Sequence, residues 1–448
     1  MKKLLSIALI LAVFCSFFAG CGRNNTDNTN QVTIRFLNFK PEIANQYEEI
    51  AKKYEQESGV KVQVETAASN TYESTLTAKM STSAAPTIFQ INGPRGYSTW
   101  QDYCENLKDT ELYKHLNNKE LAIKSGDDVY GIPYTVEGYG IICNEEIMNR
   151  YFKLTDQKTK VNSVDEIKSF DTLKAVVEDM QSKKEQLGID GVFASTSLKS
   201  GEDWRWQTHL LNIPLYYEFN KNNADYTNDN SIGEIKFDYS NNYKNILDLY
   251  INNSVTDKKL LGSKIVDESM AEFAKGQCAM VQNGNWAWSQ IKDVSGNTVK
   301  EENIKFLPVY MGIEGEEEQG LCIGTENYLC INKKASDAEK KAAAEFMYWL
   351  FSSDAGKNYV LNELDFIAPF DTFGDDELPK DPLSRQVAEW SNREDVKTVP
   401  WIFTAFPSQT FKTDVGSSIL QYAQGKTDWE TLKQTVIDRW KEEIDNLK

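Results

Sequence analysis

The residues with the clearest chemistry lie in Phe273–Trp288, where amide and indole side chains follow an apolar run. Gly276 predicts a helix end, the next residues a short buried strand, and Asn283-Gly284 a turn that presents Trp286 and Trp288. An indole beside an amide can hold a pyranose, which has an apolar C–H face and a rim of hydroxyls. The segment therefore predicts carbohydrate binding without catalysis. The alternative is that Trp286 is a core residue behind the turn.

A second aromatic candidate lies in Asp203–Gln207, where Trp204 and Trp206 flank Arg205. In an extended segment only one indole would face a ligand, and in a helix the two would diverge by about 200°. We interpret His209 as a hydrogen-bonded structural residue, because the chain has only one other histidine and offers no triad or metal cluster around it.

Charged and amide candidates follow the predicted strands of the N-terminal part: Lys40 and Glu42, then Asn92 and Arg95, then Glu137. A guanidinium fork or a carboxylate can bond two neighbouring hydroxyls at once. In open α/β sheets, the loops after the carboxyl ends of strands line the ligand crevice. The alternative for Lys40 and Glu42 is that they are solvated charges at a helix start.

The elements that must position these residues begin with a β-α-β unit. Val32–Leu37 alternates as a strand, Ile43–Tyr54 has helical spacing, and Val60–Val64 alternates again. Such a crossover implies parallel strands and an α/β fold. Thr87–Ile91 predicts a further buried strand, and Asn92–Gly96 a turn.

Three capping boxes predict helix starts, at Ser163 with Glu166, at Ser336 with Glu339, and at Thr427 with Glu430. The last helix should use its apolar face for packing, through Leu432, Val436, Trp440 and Ile444.

The N-terminus predicts export. Lys2 and Lys3 precede a run of about 15 apolar residues, which fits a signal peptide over residues 1–20 and is too short to span a bilayer. Phe18-Ala19-Gly20-Cys21 resembles a bacterial lipobox, which implies lipid attachment at Cys21; the alternative is an ordinary signal peptide with a chance cysteine. Residues 21–30 then form a polar, lipid-anchored tether that cannot bury a core.

Composition narrows the partners. The formal charge is −18 and becomes more negative once Lys2 and Lys3 are removed, which argues against nucleic acid or anionic lipid headgroups as partners. The length favours two domains. Five cysteines remain after Cys21, and we expect them to be buried small hydrophobes rather than a metal or redox site, although one disulfide, such as Cys322 with Cys330, stays open.

Phe273–Trp288 resembles the Phe-x-x-Gly-x-x-Ala-Met-x-x-Asn-Gly-x-Trp signature of family 1 extracellular solute-binding proteins. The resemblance covers nearly the whole chain after the tether. It rests on the order and spacing of Phe36–Glu42, Ala85–Phe89, Tyr130–Tyr134, Phe273–Trp288, Leu307–Pro308 and Phe346–Gly356.

The resemblance implies an α/β fold of the two-lobed periplasmic-binding-protein type II, similar to maltose-binding protein, with a mixed sheet flanked by helices in each lobe and the ligand cleft between them. It places the N-terminal lobe at residues 31–144 plus 309–362 and the C-terminal lobe at 145–308 plus 363–448.

The resemblance also implies roles for single residues. Trp204 and Trp286 should line the cleft with Asn283, and Glu137 should be its carboxylate. The second loop departs from the family pattern, because Asn92-Gly93-Pro94 stands where an acid is common. Two further aromatic residues are candidates for the cleft. Phe366 lies at the third lobe crossing, and its alternative role is hinge packing. Trp401 lies in the segment where the family often has its last stacking residue, and its alternative role is core packing.

These implications predict an extracellular, membrane-anchored monomer without cofactor or metal, which captures a di- or oligosaccharide by lobe closure and delivers it to the permease of an ABC transporter. We expect indoles of separate lobes to converge across the cleft. The alternatives are binding of an acidic monosaccharide, a receptor or adhesin on the same scaffold, and a glycosidase using paired carboxylates, although no catalytic motif accompanies the acids.

Overall fold

The computed structural model describes residues 31–67, 69–225, 232–374 and 376–446. The predicted signal peptide, the tether and the lipid-attachment residue Cys21 lie outside these residues. Val32–Lys448 forms one compact unit. The strands are β1 Thr33–Asn38, β2 Lys61–Thr66, β3 Ile88–Asn92, β4 Ile123–Ser125, β5 Asp128–Pro133, β6 Glu137–Asn144, β7 Met280–Gly284, β8 Ile304–Leu307, β9 Gln319–Gly324, β10 Asn327–Ile331 and β11 Lys397–Val399.

Helices flank these strands and connect them. They are α1 Ala44–Ser58, α2 Ser69–Met80, α3 Gly93–Trp100, α4 Glu111–Lys114, α5 Glu145–Phe152, α6 Phe170–Ser182, α7 Lys184–Leu187, α8 Leu211–Lys221, α9 Ser240–Asn252, α10 Val266–Ala274, α11 Ala287–Lys292, α12 Asp337–Ser352, α13 Asp354–Asn362, α14 Pro382–Ser391, α15 Gln409–Ala423 and α16 Trp429–Asn446. A π-helical turn, Arg205–Leu210, leads into α8.

The first sheet has the strand order β2-β1-β3-β10-β5-β4 and confirms the predicted β-α-β unit. β1 is parallel to β2, from Thr33 opposite Lys61 to Asn38 opposite Thr66, and α1 covers the pair through Tyr47 and Tyr54. β3 is parallel to β1, whereas β10 runs antiparallel to both of its neighbours, β3 and β5. The sheet is therefore mixed, and the α/β class is confirmed.

The second sheet is built around β6, whose eight residues are all buried. Its strand order is β11-β9-β6-β7, and β8 also pairs with β6. β6 runs antiparallel to β7, β8 and β9, while β11 is parallel to β9, so this sheet is mixed as well.

The chain passes from the first sheet to the second between Pro133 and Glu137, and returns between Gly324 and Asn327. A β-bridge between Val136 and Ile367 holds a third segment beside the first passage, and the Val136 N–H donates to the Ile367 carbonyl at 2.8 Å. Strands β6 and β9, which the predicted boundaries give to the N-terminal lobe, pair in the second sheet. The lobe boundaries themselves stay a prediction.

Local geometry corrects two helix starts and one turn. The box of Ser336 and Glu339 forms as predicted, but Ser163 precedes only a short 3-10 helix without capping it. Asp428, rather than Thr427, caps α16, because its carboxylate accepts from the Thr431 N–H at 2.9 Å. The predicted turn at 92–96 is the start of α3, where Pro94 favours the first helical turn.

The cysteines that follow the tether, Cys104, Cys143, Cys278, Cys322 and Cys330, are all buried free thiols. Cys322 lies in the second sheet and Cys330 in the first, and the disulfide that the sequence left open between them is not formed. Burial raises the pKa of Cys322 to about 12, so it stays protonated at neutral pH.

Helix α16 packs as predicted, with Leu432, Val436, Trp440 and Ile444 buried. Trp440 meets Phe219, Phe406 and Phe411 edge-on, with ring centroids 5.8, 5.4 and 5.3 Å away. Its indole N–H donates to the Gly233 carbonyl at 2.9 Å. The last helix therefore packs against α8, α15 and the segments that precede α9 and α15.

We expect Trp440→Ala to lower the free energy of unfolding by about 3–5 kcal/mol, because it empties a closed aromatic site. Urea denaturation followed by far-ultraviolet circular dichroism measures the loss. Leu260→Ala, at an exposed leucine, is the control and should change the free energy by less than about 0.5 kcal/mol. Equal effects of the two substitutions would contradict a packing role for Trp440.

Candidate functional site

Trp286 follows β7, which pairs with β6, and is the N-cap residue of α11. The helix α10 ends at Ala274, close to Gly276 as predicted, and a buried strand follows. This strand begins at Met280 and includes Asn283 and Gly284, so the turn predicted at these two residues is wrong; the turn lies at Asn285 and Trp286. The indole folds back over Gly284, where a Cβ atom would lie only 2.2 Å from two of its ring carbons. Glycine at 284 is therefore required for this position of Trp286.

Five aromatic rings surround His209 and form one cluster with it. Its imidazole lies 4.8 Å from the Trp204 ring, 5.7 Å from Trp286 and 5.8 Å from Trp401, measured between centroids. Trp286 in turn lies 5.9 Å from Trp204 and 6.3 Å from Trp401. We call this group the aromatic cluster, and it comprises Tyr139, Trp204, His209, Trp286, Trp401 and Phe403.

The cluster belongs to one side of the molecule only. Trp286 follows β7, Trp401 follows β11 and Tyr139 lies in β6, all in the second sheet. The expectation that indoles of separate lobes converge is wrong for these rings. The reason is the sheet topology, which brings β7 and β11 to the same sheet, while the first sheet contributes charged side chains.

Within each of two tryptophan pairs, Trp204 with Trp206 and Trp286 with Trp288, the structure shows which indole is exposed and which is buried. Trp206 is buried in the core beside Tyr250, whereas Trp204 is partly exposed and contacts Trp286. Trp288 is buried and packs in a core with Phe273 and Ile291, while Trp286 keeps partial exposure.

Lys40 supplies the first charge opposite the cluster. Its ammonium lies 2.7 Å from the Glu137 carboxylate and 3.7 Å from that of Glu42. Lys40 is 7% exposed and Glu137 is 4% exposed, so this ion pair is withdrawn from water. Burial alone would lower the pKa of Lys40, but Glu137 and Glu42 outweigh it and raise the pKa above its ordinary value.

Asn38 fixes the loop that presents Lys40. Its side chain accepts from the Lys40 N–H at 3.1 Å and donates to the Lys40 carbonyl at 2.8 Å. The Lys40 ammonium then lies 5.9 Å from the centre of the Trp286 ring, within the range of a cation–π contact. A loop of the first sheet thus meets the aromatic cluster of the second.

The second predicted loop also reaches a crossing segment. The Asn92 amide donates to the Glu326 carboxylate at 2.6 Å, and the Gly93 N–H donates to the Glu326 carbonyl at 3.1 Å. Gly93 has φ +59°, and a Cβ atom there would lie 2.4 Å from that of Thr404, so only glycine allows this approach. Arg95 is half-buried on α3.

Asn283 is fully buried and holds a cation. Its side-chain oxygen accepts from the Arg205 Nε at 3.0 Å and from the Gly284 N–H at 3.0 Å. The Arg205 guanidinium lies over the Trp204 ring, 3.8 Å from its centroid. Asn283 therefore positions Arg205 against the cluster, and its predicted contact with a ligand stays a prediction.

The last two predicted residues have different surroundings. Trp401 is in the aromatic cluster and is 6% exposed. Phe366 is 3% exposed and packs on Tyr134 in the core of the first sheet, with ring centroids 5.3 Å apart. Phe366 is not brought to the cluster, and its surroundings are those of the packing alternative.

Several buried polar atoms around the cluster have no hydrogen-bond partner among the described residues. They are the indole nitrogens of Trp286 and Trp401, Nε2 of His209, Oε1 of Gln207 and Nη1 of Arg205. Burial lowers the pKa of His209 well below its usual value, so its imidazole is neutral. Since most buried polar groups in proteins are paired, these atoms leave unused hydrogen-bonding capacity beside the aromatic cluster.

Some residues of this site have no signal in the sequence. His209 was interpreted as structural, and no spacing pointed to Tyr139, Phe403 or Glu326. Glu326 lies in the passage from β9 to β10, where burial raises its pKa. Tyr139 and Glu326 reach the site through the pairing of β6 with β9, whereas His209 and Phe403 lie on helical turns, and no local motif predicts any of these positions.

Neither a metal site nor a membrane span is found in the part of the chain that the structure describes. No group of three His, Cys, Asp or Glu side chains there could hold an ion. No helix there is long and apolar enough to cross a bilayer.

Comparison with known proteins gives a family and a fold. The family model described as bacterial extracellular solute-binding protein matches residues 49–383. The search of curated proteins found no match. Among solved structures, the raffinose complex of the solute-binding protein RafE has a TM-score of 0.69 at 17% identity, over 92% of this chain and all of that one.

Two further structures have the same fold. A chitin oligosaccharide binding protein has a TM-score of 0.68 at 19% identity, covering 93% of this chain and 99% of its own. A sugar transporter from Bacillus licheniformis, solved with stachyose, has a TM-score of 0.66 at 15% identity, covering 92% and 100%.

We expect Glu137→Gln to lower the free energy of unfolding by about 3–5 kcal/mol, because it leaves the buried Lys40 ammonium without its closest counterion. The double variant Lys40→Met with Glu137→Leu should lose less. Glu178→Gln, in the exposed pair with Lys174, is the control and should change the free energy by less than about 1 kcal/mol. A double variant as unstable as Glu137→Gln would contradict this account.

Proposed function

The chain belongs to the bacterial extracellular solute-binding proteins, and we propose that it captures a di- or oligosaccharide between its two lobes and delivers it to the permease of an ABC transporter. Binding requires no chemistry on the ligand. The proposed role is therefore that of a receptor for transport and not of an enzyme.

The aromatic cluster is the observation that carries this proposal. Trp204 and Trp286 are both partly exposed, so two indole faces remain available beside buried donors without partners. Indole faces suit the C–H faces of pyranoses, and unpaired donors and acceptors suit their hydroxyls. Two adjacent indoles support a ligand of more than one ring. The comparison structures solved with raffinose and stachyose support the same ligand class.

We propose that Lys40, Glu42, Asn92, Arg95 and Glu137 contact sugar hydroxyls from the first sheet, opposite Trp204, Trp286 and Trp401. A ligand that touches both sides favours the closed arrangement of the lobes, because it gains contacts there that the open state lacks. The permease would then recognise the closed state. Closure would bend the three segments between the sheets.

The site would act outside the cell. An extracellular family agrees with the predicted signal peptide at residues 1–20, and we propose that Cys21 carries a lipid that holds a monomer at the outer face of the membrane. Residues 21–30 would give the folded part room to reach its permease.

Fluorescence titration with neutral and acidic di- to tetrasaccharides tests the function. Saturable quenching or a spectral shift is expected, since a ligand on the cluster covers Trp204 and Trp286. The titrated mixtures are then analysed for hydrolysis products. If hydrolysis products accumulate and no saturable binding is seen, the protein is a glycosidase and not a transport receptor.

We expect Trp286→Ala to weaken binding of the best ligand by about 2–4 kcal/mol, as for a buried aromatic anchor at an interface. Isothermal titration calorimetry gives the affinity, and circular dichroism checks that the protein is folded. Trp288→Phe, two residues along in the core, is the matched control and should lower stability while keeping affinity. Unchanged affinity of Trp286→Ala would place Trp286 outside the site.

A further inference from the structure

Two cations beside the aromatic cluster have no ion-pair partner among the described residues. They are Arg205, at the start of the π-helical turn, and Lys412, on α15. Lys40 differs from both, because Glu137 and Glu42 neutralise it. In the described part of the site, Arg205 and Lys412 are therefore cations without a carboxylate in direct contact, and carboxylates act on them only from farther away.

Arg205 is the more buried of the two, with 4% of its surface exposed. Trp204 covers one face of its guanidinium, and Asn283 accepts from its Nε, which together fix its plane. Its Nη1 has no partner, and the carboxylates of Glu202, Glu42 and Asp267 act on it only from beyond ion-pair distance. Arg205 is thus a fixed, buried cation that lies against Trp204 of the cluster and has one donor without an acceptor.

Lys412 brings a second charge to the same region. Helix α15 packs against the segment that bears Arg205, since a Cβ atom at Gly416 would meet the Asp203 carboxylate. Glu326 and Glu73 act on the half-buried ammonium of Lys412 from beyond ion-pair distance. Both cations act on His209: burial lowers its pKa most, and the charges of Arg205, Lys412 and Lys40 lower it further.

A neutral ligand would bury these charges further without offering a counterion. Burying a charge is costly unless it is paired and hydrogen-bonded, so a neutral glycan would bind against that cost. An anionic oxygen on the ligand would offset it. A guanidinium is also well suited to carboxylates and to sulfate-like groups, because its donors lie in a planar fork.

We propose that the glycan recognised by this site carries an acidic group, a uronate carboxylate or a sulfate ester, which Arg205 binds through Nη1 with Lys412 as the second cation. This inference rests on the proposed function and specifies its substrate class. The neutral rings of the same glycan would stack on Trp204 and Trp286.

The first experiment compares each uronate-containing di- to tetrasaccharide with its own methyl ester, which has the same rings but no charge. We expect the acid to bind about 10- to 100-fold more tightly, the range for hydrogen bonds to charged groups. Sulfated oligosaccharides form a second arm and distinguish the two sources of the anion. Sodium acetate and sodium sulfate alone test whether the anion suffices without the rings, and binding of either as tight as that of the acidic glycan would overturn a glycan site.

The second experiment measures the ratio of acid to ester affinity in variants. Arg205→Gln and Lys412→Gln should each bring this ratio closer to one, while affinity for the ester falls little. Lys275→Gln, which removes an exposed lysine after α10, is the control for net charge and should keep the wild-type ratio. Lys412 is half-buried, so its variant remains informative if Arg205→Gln does not fold.

The outcomes separate this inference from the proposed function. Esters or neutral glycans that bind as tightly as the acids would overturn the acidic ligand and leave carbohydrate capture in place. An unchanged ratio in both variants would overturn the roles of Arg205 and Lys412. Failure of every glycan, acidic or neutral, would overturn the proposed function itself.

Discussion

The ion pair between Lys40 and Glu137 is the interaction on which the site depends. One partner lies in the loop after β1 of the first sheet and the other starts β6 of the second, and both are almost fully buried. Two charges taken out of water are tolerated only when they remain together. The pair therefore fixes the loop of the first sheet against the second sheet and carries Lys40 to the face of Trp286.

The two sides of the site supply different chemistry. The second sheet supplies the rings, gathered around a neutral His209 that can lie among indoles without a charge to solvate. The first sheet supplies Lys40 and Asn92, whose polar groups can bond hydroxyls. A glycan offers apolar faces and a hydroxyl rim on the same ring, so it can use both sides only when they come together. This division gives a physical reason for closure upon a carbohydrate.

Charge adds selectivity to this arrangement. Lys40 is neutralised within the protein, whereas Arg205 is held by Trp204 and Asn283 with a donor left open. Holding a cation rigid without a counterion costs stability, and such a cost is expected where a ligand completes the pairing. The acidic chain as a whole would otherwise repel an anion, so recognition of an acidic glycan requires local cations of this kind.

The sequence alone determined the β-α-β unit, the packing face of α16 and the segment that presents Trp286, because the apolar residues of a helix or strand recur with the period of that element. It also placed five charged or amide candidates after strands, since strand ends share an edge. Only the tertiary structure decided that Lys40 pairs with Glu137, 97 residues away, and that His209 lies among three tryptophans. Those contacts depend on which strands pair and on where the chain passes between the sheets. The spacing of residues within one segment determines neither of these.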